Sequence, residues 1–183
     1  MRLDELLRFA GRFFVEEGVD HAVIGATAMS FWVPPRNTVD LDVMVRADKH
    51  RTVTVMERLR KNKFPVTKRL TQSLLGGRMI KIPLGDTELD LRLCRTRHDQ
   101  ESMARAKTFR DAGGELRITV PEDLIIFKLQ SWRRQDQADI ERMLRQRKDL
   151  DPRYIEAWLG PVEGETGHPV QERWREARTW VSR

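Results

Sequence analysis

The sequence has only one cysteine, Cys94, and one tyrosine among its 183 residues. A single cysteine excludes an internal disulfide, and the four histidines are scattered without the short spacings of a structural zinc site. No apolar run approaches the roughly 20 residues that a membrane-spanning helix needs, and the first residues lack the apolar core of a signal peptide. We therefore expect a cytoplasmic protein that does not contact a membrane.

The composition, with 39% hydrophobic and 34% charged residues, is typical of a globular domain with a charged surface. We expect a core over residues 1–120 and a helical C-terminal part over residues 121–183. The net charge is +6. Lysine and arginine cluster in four stretches: residues 58–63, 92–97, 133–134 and 142–148. Such clusters attract a polyanion, so RNA, tRNA especially, is one expected partner, and an ordinary solvated helix face is the alternative.

Two carboxylates, Asp40 and Asp42, interrupt the apolar, strand-forming run of residues 39–45. Side chains alternate along a strand, so both acids share one face at a separation of roughly 6–7 Å. Closely held carboxylate oxygens suit a hard divalent cation such as Mg²⁺. An edge strand that carries acids to resist aggregation is the alternative.

A short apolar strand precedes the carboxylate strand and ends at Gly25, and residues 26–32 are expected to form a helix that the prolines 34 and 35 terminate. This order predicts that the backbone N–H groups at Gly25 and Ala26 point toward the end of the carboxylate strand. A phosphate group and a metal ion would then meet at that point.

A hairpin with further acids is expected later in the chain. The runs 78–84 and 87–93 alternate in polarity and flank Gly85 and Asp86, a pair that favours a two-residue turn. Glu88, Asp90 and Arg92 share one face of the second run. Asp90 is the preferred partner of Asp40 and Asp42. Glu88 is the substitute, and a row that only contacts water is the alternative.

A helix is expected to begin at Pro121, with Glu122 and Asp123 in its first turn, and to continue past Gln135. On one continuous helix Lys128, Asp136 and Asp139 would lie on neighbouring faces, because eight and eleven residues are close to two and three turns. They would then line one side of a cleft. A salt-bridged amphipathic helix is the alternative.

The ordered combination of these motifs resembles the nucleotidyltransferase superfamily, whose pattern is an apolar residue, Gly-Gly or Gly-Ser, an intervening stretch and then Asp-x-Asp. The run Arg36-x-Thr38-x-Asp40-x-Asp42 looks like the AbiEii-type and DUF6036-type nucleotidyltransferase-like proteins, many of them toxins of toxin–antitoxin systems. The resemblance implies an α/β (α+β) fold with a mixed sheet flanked by helices and a helical C-terminal part.

The resemblance also implies the site. Asp40, Asp42 and Asp90 would be catalytic and would bind Mg²⁺ or Mn²⁺. An NTP would be held by residues of the turn, of the loop before the carboxylate strand and of the later helix: Gly25, Ala26, Arg36, Thr38, Lys128, Asp136 and Asp139. The acceptor would be a hydroxyl group, on tRNA or another RNA, and a cognate antitoxin would be a partner.

One departure from the family pattern concerns Ala26, which stands where the family has a second glycine or a serine. Alanine offers a backbone N–H but no hydroxyl and less torsional freedom. Two other functions therefore remain open: transfer to a small molecule such as an antibiotic, and a catalytically degenerate module that binds nucleotide or nucleic acid.

Four further elements are expected from local patterns. Residues 49–61 form a helix capped by Asp48, residues 66–75 form a strand, Gly113 and Gly114 form a turn, and a short helix over 153–159 ends at Gly160 and Pro161. Three tryptophans near the C-terminus pack on the core or form an interface with an antitoxin or a second copy: Trp158, Trp174 and Trp180.

Overall fold

The computed structural model describes residues 1–35, 37–111 and 114–181. It is a mixed α/β structure built on a six-stranded sheet, which confirms the predicted fold class. The chain divides into two compact units. The first comprises Met1–Ala28 and Arg36–Thr119, and the second comprises Met29–Pro35 and Val120–Arg183.

The first unit contains all six strands. Its elements, in chain order, are α1 (Leu3–Glu16), β1 (Asp20–Ile24), α2 (Gly25–Met29, whose last residue belongs to the second unit), β2 (Asp40–Arg46), α3 (Lys49–Lys61), α4 (Lys68–Leu75), β3 (Ile80–Pro83), β4 (Glu88–Leu93), α5 (Arg97–Arg105), β5 (Lys107–Asp111) and β6 (Gly114–Ile118).

The strands are ordered β3-β4-β2-β1-β6-β5 across the sheet. β2 is antiparallel to β1 on one side and parallel to β4 on the other. β3 and β5 are the edge strands, each antiparallel to its neighbour. Two residues at the centre of the sheet, Asp42 and Asp90, are therefore carried by adjacent strands that run in the same direction.

The apolar side of each element explains its packing. Helix α1 buries one stripe, with Leu6, Ala10 and Phe14 fully buried, and it packs against β6 and β1. Leu41, Val43 and Val45 of β2 are also buried, as the alternation of that strand predicts. The acids of β2 alternate with this apolar face, so they lie on the opposite face.

Several local predictions are confirmed. β3 and β4 form the expected hairpin about Gly85 and Asp86, and helix α3 begins after Asp48, whose carboxylate accepts a hydrogen bond from the backbone N–H of Arg51 at 2.7 Å. Residue 113, on which the predicted turn with Gly114 depends, lies outside the described residues.

The prediction of a strand over residues 66–75 is wrong, because residues 68–75 form helix α4. Val66, Leu70 and Leu74 recur every four residues, which is a helical period. Thr67 caps the helix by accepting a hydrogen bond from the N–H of Leu70 at 3.2 Å. The buried face that this helix presents centres on Leu74, which is 1% exposed.

The second unit is helical. Its elements are α6 (Pro121–Ser131), α7 (Arg134–Gln146), α8 (Pro152–Thr166) and α9 (Val170–Thr179). Its core includes Ile125, Ile140 and Trp174, the last of which is buried as core packing requires. No helix among the residues that the structure describes has both the length and the apolar character to cross a membrane.

Two helix boundaries differ from prediction. The expected continuous helix breaks at Trp132, which adopts a left-handed conformation with φ of +53° and separates α6 from α7. Helix α8 does not end at Gly160 but continues through Pro161. Proline clashes with the Cβ of the residue before it, and Gly160 has none, so the helix tolerates the proline.

Candidate active site

The acids of the first unit meet because β2 and β4 are paired in register. Asp40 lies opposite Glu88, and Asp42 lies opposite Asp90. Directly paired residues point to the same face, and adjacent strands are about 4.8 Å apart. Four carboxylates therefore share one small area of the sheet. The structure brings together Asp40, Asp42 and Asp90, and it adds Glu88 beside them.

Gly25 lies against this group of acids. Ile24, the last residue of β1, pairs with Asp42, and the chain then turns at Gly25 with φ of +69°. A Cβ built on Gly25 would lie 2.7 Å from Cγ of Asp42, closer than real contacts allow. Only glycine satisfies both the backbone conformation and this approach, so the turn residue and the carboxylate form one local structure.

Helix α2 follows this turn and is shorter than predicted, ending at Met29. Thr27 is buried, and its hydroxyl donates a hydrogen bond of 2.7 Å to the backbone oxygen of Asp40. The start of the carboxylate strand is thereby attached to α2. Ala26, next to Thr27, is partly exposed.

The loop before β2 carries the two remaining residues predicted for this site. Thr38 is partly exposed and lies outside regular structure, two residues before Asp40. Arg36 lies outside the described residues. The hydroxyl of Thr87 donates a hydrogen bond to the backbone oxygen of Val39, which joins the loop to the hairpin.

Asp90 is the most buried of the four acids, with 3% of its surface exposed. Its Oδ2 lies 3.0 Å from Nζ of Lys81, whereas its Oδ1 is buried without a hydrogen-bond partner. Burial raises the pKa of Asp90 to about 6, and the charge of Asp42 adds to this, against the opposing hydrogen bond from Lys81. A buried carboxylate oxygen that lacks a partner is suited to receive a cation or a proton.

Lys81 is a site residue that the sequence interpretation missed. It lies on edge strand β3 opposite Asp90, and its Nζ also contacts Glu88 at 2.5 Å. The hydrogen bonds to Glu88 and Asp90 raise the pKa of Lys81, so the ammonium remains charged. The hairpin could have revealed it, because counting the ladder outward from Gly85 and Asp86 pairs Lys81 with Asp90.

The fit to a divalent metal follows from the donor set. Carboxylate oxygens are hard ligands that Mg²⁺ and Mn²⁺ prefer, and Oδ1 of Asp90 is a buried oxygen without a partner. Over the described ranges, no group of three or more His, Cys, Asp and Glu side chains is arranged to hold a metal ion. A magnesium ion at a nucleotide needs only one or two protein carboxylates, because waters and substrate phosphates complete its coordination.

In the second unit, Lys128 lies in a buried ionic cluster. Its Nζ is 3.2 Å from Oδ1 of Asp136 and 2.6 Å from Oδ2 of Asp139. All three residues are at most 6% exposed. The structure thus brings the three predicted residues together, although not along one continuous helix: Lys128 lies on α6 and both acids lie on α7.

Asp136 is the centre of this cluster. It also accepts hydrogen bonds from the hydroxyl of Ser131 at 2.9 Å and from Nε of Arg133 at 2.8 Å. Burial alone would raise the pKa of Asp136, but the bond from Arg133, the charge of Lys128 and the bond from Ser131 together lower it. Asp136 is therefore ionised and serves as a counter-ion to Lys128.

Many residues of the predicted basic clusters are paired within the protein. Arg92 pairs with the buried Asp99, Arg145 with Glu141 and Arg147 with Asp149. Arg147 also lies 5.3 Å from the centre of the Trp32 ring. These pairs reduce the charge available to a polyanion in the stretches 92–97 and 142–148.

Comparison with solved structures identifies the fold. An antigenic nucleotidyltransferase-like protein from Paracoccidioides brasiliensis superposes with a TM-score of 0.53, at 16% identity, over 91% of this chain and 89% of that one. ANT(2")-Ia in complex with adenylyl-2"-tobramycin aligns with a TM-score of 0.44, at 15% identity, over 95% of both chains. A CCA-adding enzyme with ATP aligns with a TM-score of 0.38, at 13% identity, over 91% of this chain and 45% of that one.

The chain thus has the fold of a nucleotidyltransferase-like protein. No model of a protein family matches the sequence. No curated protein matches it at a significant level.

Proposed function

We propose that this protein is a metal-dependent nucleotidyltransferase that transfers an NMP group from an NTP to an acceptor hydroxyl. The observation that carries the proposal is the register of β2 and β4, in which Asp42 lies directly beside Asp90 while Gly25 approaches Asp42. A nucleotidyltransferase-like fold with paired acids next to a glycine turn is suited to a nucleotide and a metal ion.

In the proposed reaction, the acceptor oxygen forms a bond to the α-phosphorus of the NTP, and the bond from that phosphorus to the oxygen of the β-phosphate breaks. Pyrophosphate leaves. Asp40, Asp42 and Asp90 would hold Mg²⁺ or Mn²⁺, which when bound stabilises the charge that develops on the phosphate oxygens. The acceptor hydroxyl releases its proton to water as the new bond forms.

The remaining predicted nucleotide ligands keep their proposed roles. The N–H groups of Gly25 and Ala26 would bind the triphosphate, and Arg36 and Thr38 would orient the nucleotide. Lys128 would bind a phosphate, with Asp136 and Asp139 completing its surroundings. In this proposal residues 1–120 are the catalytic core and residues 121–183 are the helical C-terminal part.

We infer that the acceptor is RNA, with tRNA as the first candidate, and that the protein is a cytoplasmic toxin restrained by an antitoxin. The net charge of +6 supports an anionic acceptor. The cluster at residues 58–63 supports it further, since Arg60, Lys61 and Lys63 are exposed.

The test is to incubate the purified protein with each α-labelled NTP, Mg²⁺ and total bacterial RNA, beside an Asp40→Asn/Asp42→Asn double variant. We expect label in RNA with the wild type and a loss of at least about a hundredfold with the variant, because the metal ligands are removed. Label in RNA with both proteins would contradict the site. NTP binding without transfer to RNA, protein or small molecules would support a degenerate binding module instead.

A further inference from the structure

Lys81 occupies an unusual position for a lysine on an edge strand. Its neighbours Ile80 and Ile82 are buried, while Lys81 projects from the opposite face. A lysine on an edge strand commonly extends into water and prevents aggregation. Lys81 instead keeps 56% of its side chain exposed while its ammonium contacts two carboxylates, Glu88 and Asp90.

Lys81 contacts only one of the two carboxylate oxygens of Asp90. Oδ2 is paired with the ammonium, and Oδ1 is buried without a partner. On the other side of Asp90 lies Asp42, its partner in the parallel register. The ammonium and a metal ion bound at Asp42 would therefore approach Asp90 from opposite sides.

Two cations at one carboxylate repel each other. A divalent ion and an ammonium about 5 Å apart interact unfavourably even at the dielectric constant of water, and the repulsion weakens but persists at physiological salt. Metal binding at Asp90 would thus be opposed as long as Lys81 stays in place. Because Lys81 is half exposed, it has water on one side into which it can withdraw.

From these contacts we propose that Lys81 is a built-in counter-ion of the acidic site, which neutralises Glu88 and Asp90 in the metal-free protein and competes with the divalent cation for Asp90. Lys81 is then a residue that sets metal affinity and not one that binds metal. The inference rests on the proposed function, because it requires the acids to be a metal site.

The direct test is a Mn²⁺ titration followed by electron paramagnetic resonance, with the full chain and no nucleotide. Lys81→Met and Lys81→Gln are expected to bind Mn²⁺ about five- to tenfold more tightly than the wild type, because the competing charge is gone. Lys81→Arg, which keeps the charge, is expected to stay within about twofold of the wild type. Lys61→Met on α3 controls for the change in net charge.

Asp42→Asn, in the same titration, separates the two hypotheses. If Asp42→Asn binds Mn²⁺ as tightly as the wild type, the acids are not the metal site, and the proposed function fails together with the inference. If Asp42→Asn weakens binding but neither Lys81→Met nor Lys81→Gln tightens it, the metal site stands and the role of Lys81 is overturned.

A second measurement needs no substitution. Reductive methylation of the wild-type protein, followed by mass spectrometry, reports how readily Lys81 reacts with and without Mg²⁺. We expect Lys81 to react faster when Mg²⁺ is present, because its carboxylate partners are then shared with the metal and the amine is freer, while Lys61 does not change. An unchanged or slower reaction of Lys81 would overturn the inference.

Discussion

Gly25 and Asp42 lie so close together that no side chain fits between them: a Cβ at position 25 would lie 2.7 Å from the carboxylate carbon of Asp42. The backbone of Gly25, at φ of +69°, is also in the left-handed region. The turn after β1 therefore depends on glycine for two separate reasons, and both affect a residue of the candidate site.

We expect Gly25→Ala to reduce the free energy of unfolding by about 1–3 kcal/mol, because it adds backbone strain and displaces Asp42. Nucleotidyl transfer should fall further than this loss of stability explains. Urea unfolding and the labelling assay measure the two effects. Gly164→Ala is the matched control: it lies in helix α8 with no atom near its Cβ, and should raise stability by about 0.5–1 kcal/mol. Equal effects of the two substitutions on stability and transfer would contradict the conclusion that position 25 requires glycine.

The hydrogen bond from Thr27 to the backbone of Asp40 gives a second prediction. Thr27→Val keeps the shape but leaves the partly buried backbone oxygen of Asp40 without this donor, which should cost about 1–2 kcal/mol of stability. Transfer should also weaken, because the start of β2 is no longer held to α2. Thr27→Ser retains the hydroxyl, so it should keep most of the activity. If Thr27→Ser loses as much activity as Thr27→Val, the hydrogen bond is not what matters.

The buried cluster around Lys128 gives a third prediction. Lys128→Met removes the buried ammonium that contacts both Asp136 and Asp139, which should cost about 3–5 kcal/mol. The triple variant Lys128→Met/Asp136→Asn/Asp139→Asn should recover much of that stability, since the two acids lose their charge together with the lysine. Urea unfolding measures both.

The same variants test the proposed phosphate contact. If Lys128 binds a phosphate, the triple variant will be stable yet will bind NTP weakly. If its NTP affinity equals that of the wild type, Lys128 serves only the internal pairing. Equilibrium binding of a labelled NTP separates these results from any loss of fold.

A fourth prediction concerns pH. His21 on β1 is 3% exposed, its Nδ1 lies 3.1 Å from the backbone oxygen of Val19, and burial lowers its pKa. In the unfolded chain histidine takes up a proton near its ordinary pKa of about 6.5, whereas the folded protein resists protonation until lower pH. The free energy of unfolding therefore has its full value above about pH 6.5. It decreases as the pH falls from there through the pKa of His21 in the folded protein.

The measurement is the free energy of unfolding in urea at several pH values from about 8 to about 5. The wild type should lose stability as the pH falls below about 6.5, and His21→Phe, which still packs on Phe14, should lose less. An identical pH dependence in the two proteins would show that His21 is not responsible.

Much of the candidate site followed from local patterns. Alternation in residues 39–45 correctly placed Asp40 and Asp42 on one face, and Gly85 with Asp86 correctly indicated the hairpin that carries Asp90. The patterns failed at residues 66–75, because apolar residues four positions apart lie on one face of a strand as well as on one face of a helix. The stretch 66–75 contains β-branched residues that favour a strand, yet the cap at Thr67 and the fourfold spacing of its leucines make α4 the stable structure.

Local patterns were enough to specify the polarity of each element, the glycine at the turn and the acids on β2 and β4, because these depend on side-chain alternation and on backbone torsions within a few residues. The packing of whole elements was needed to establish that β2 and β4 are parallel neighbours in register, and that Lys128 meets two acids across a break at Trp132. These contacts join residues 8 to 48 positions apart along the chain. They are set by the packing of whole elements against a shared core, which no local pattern specifies.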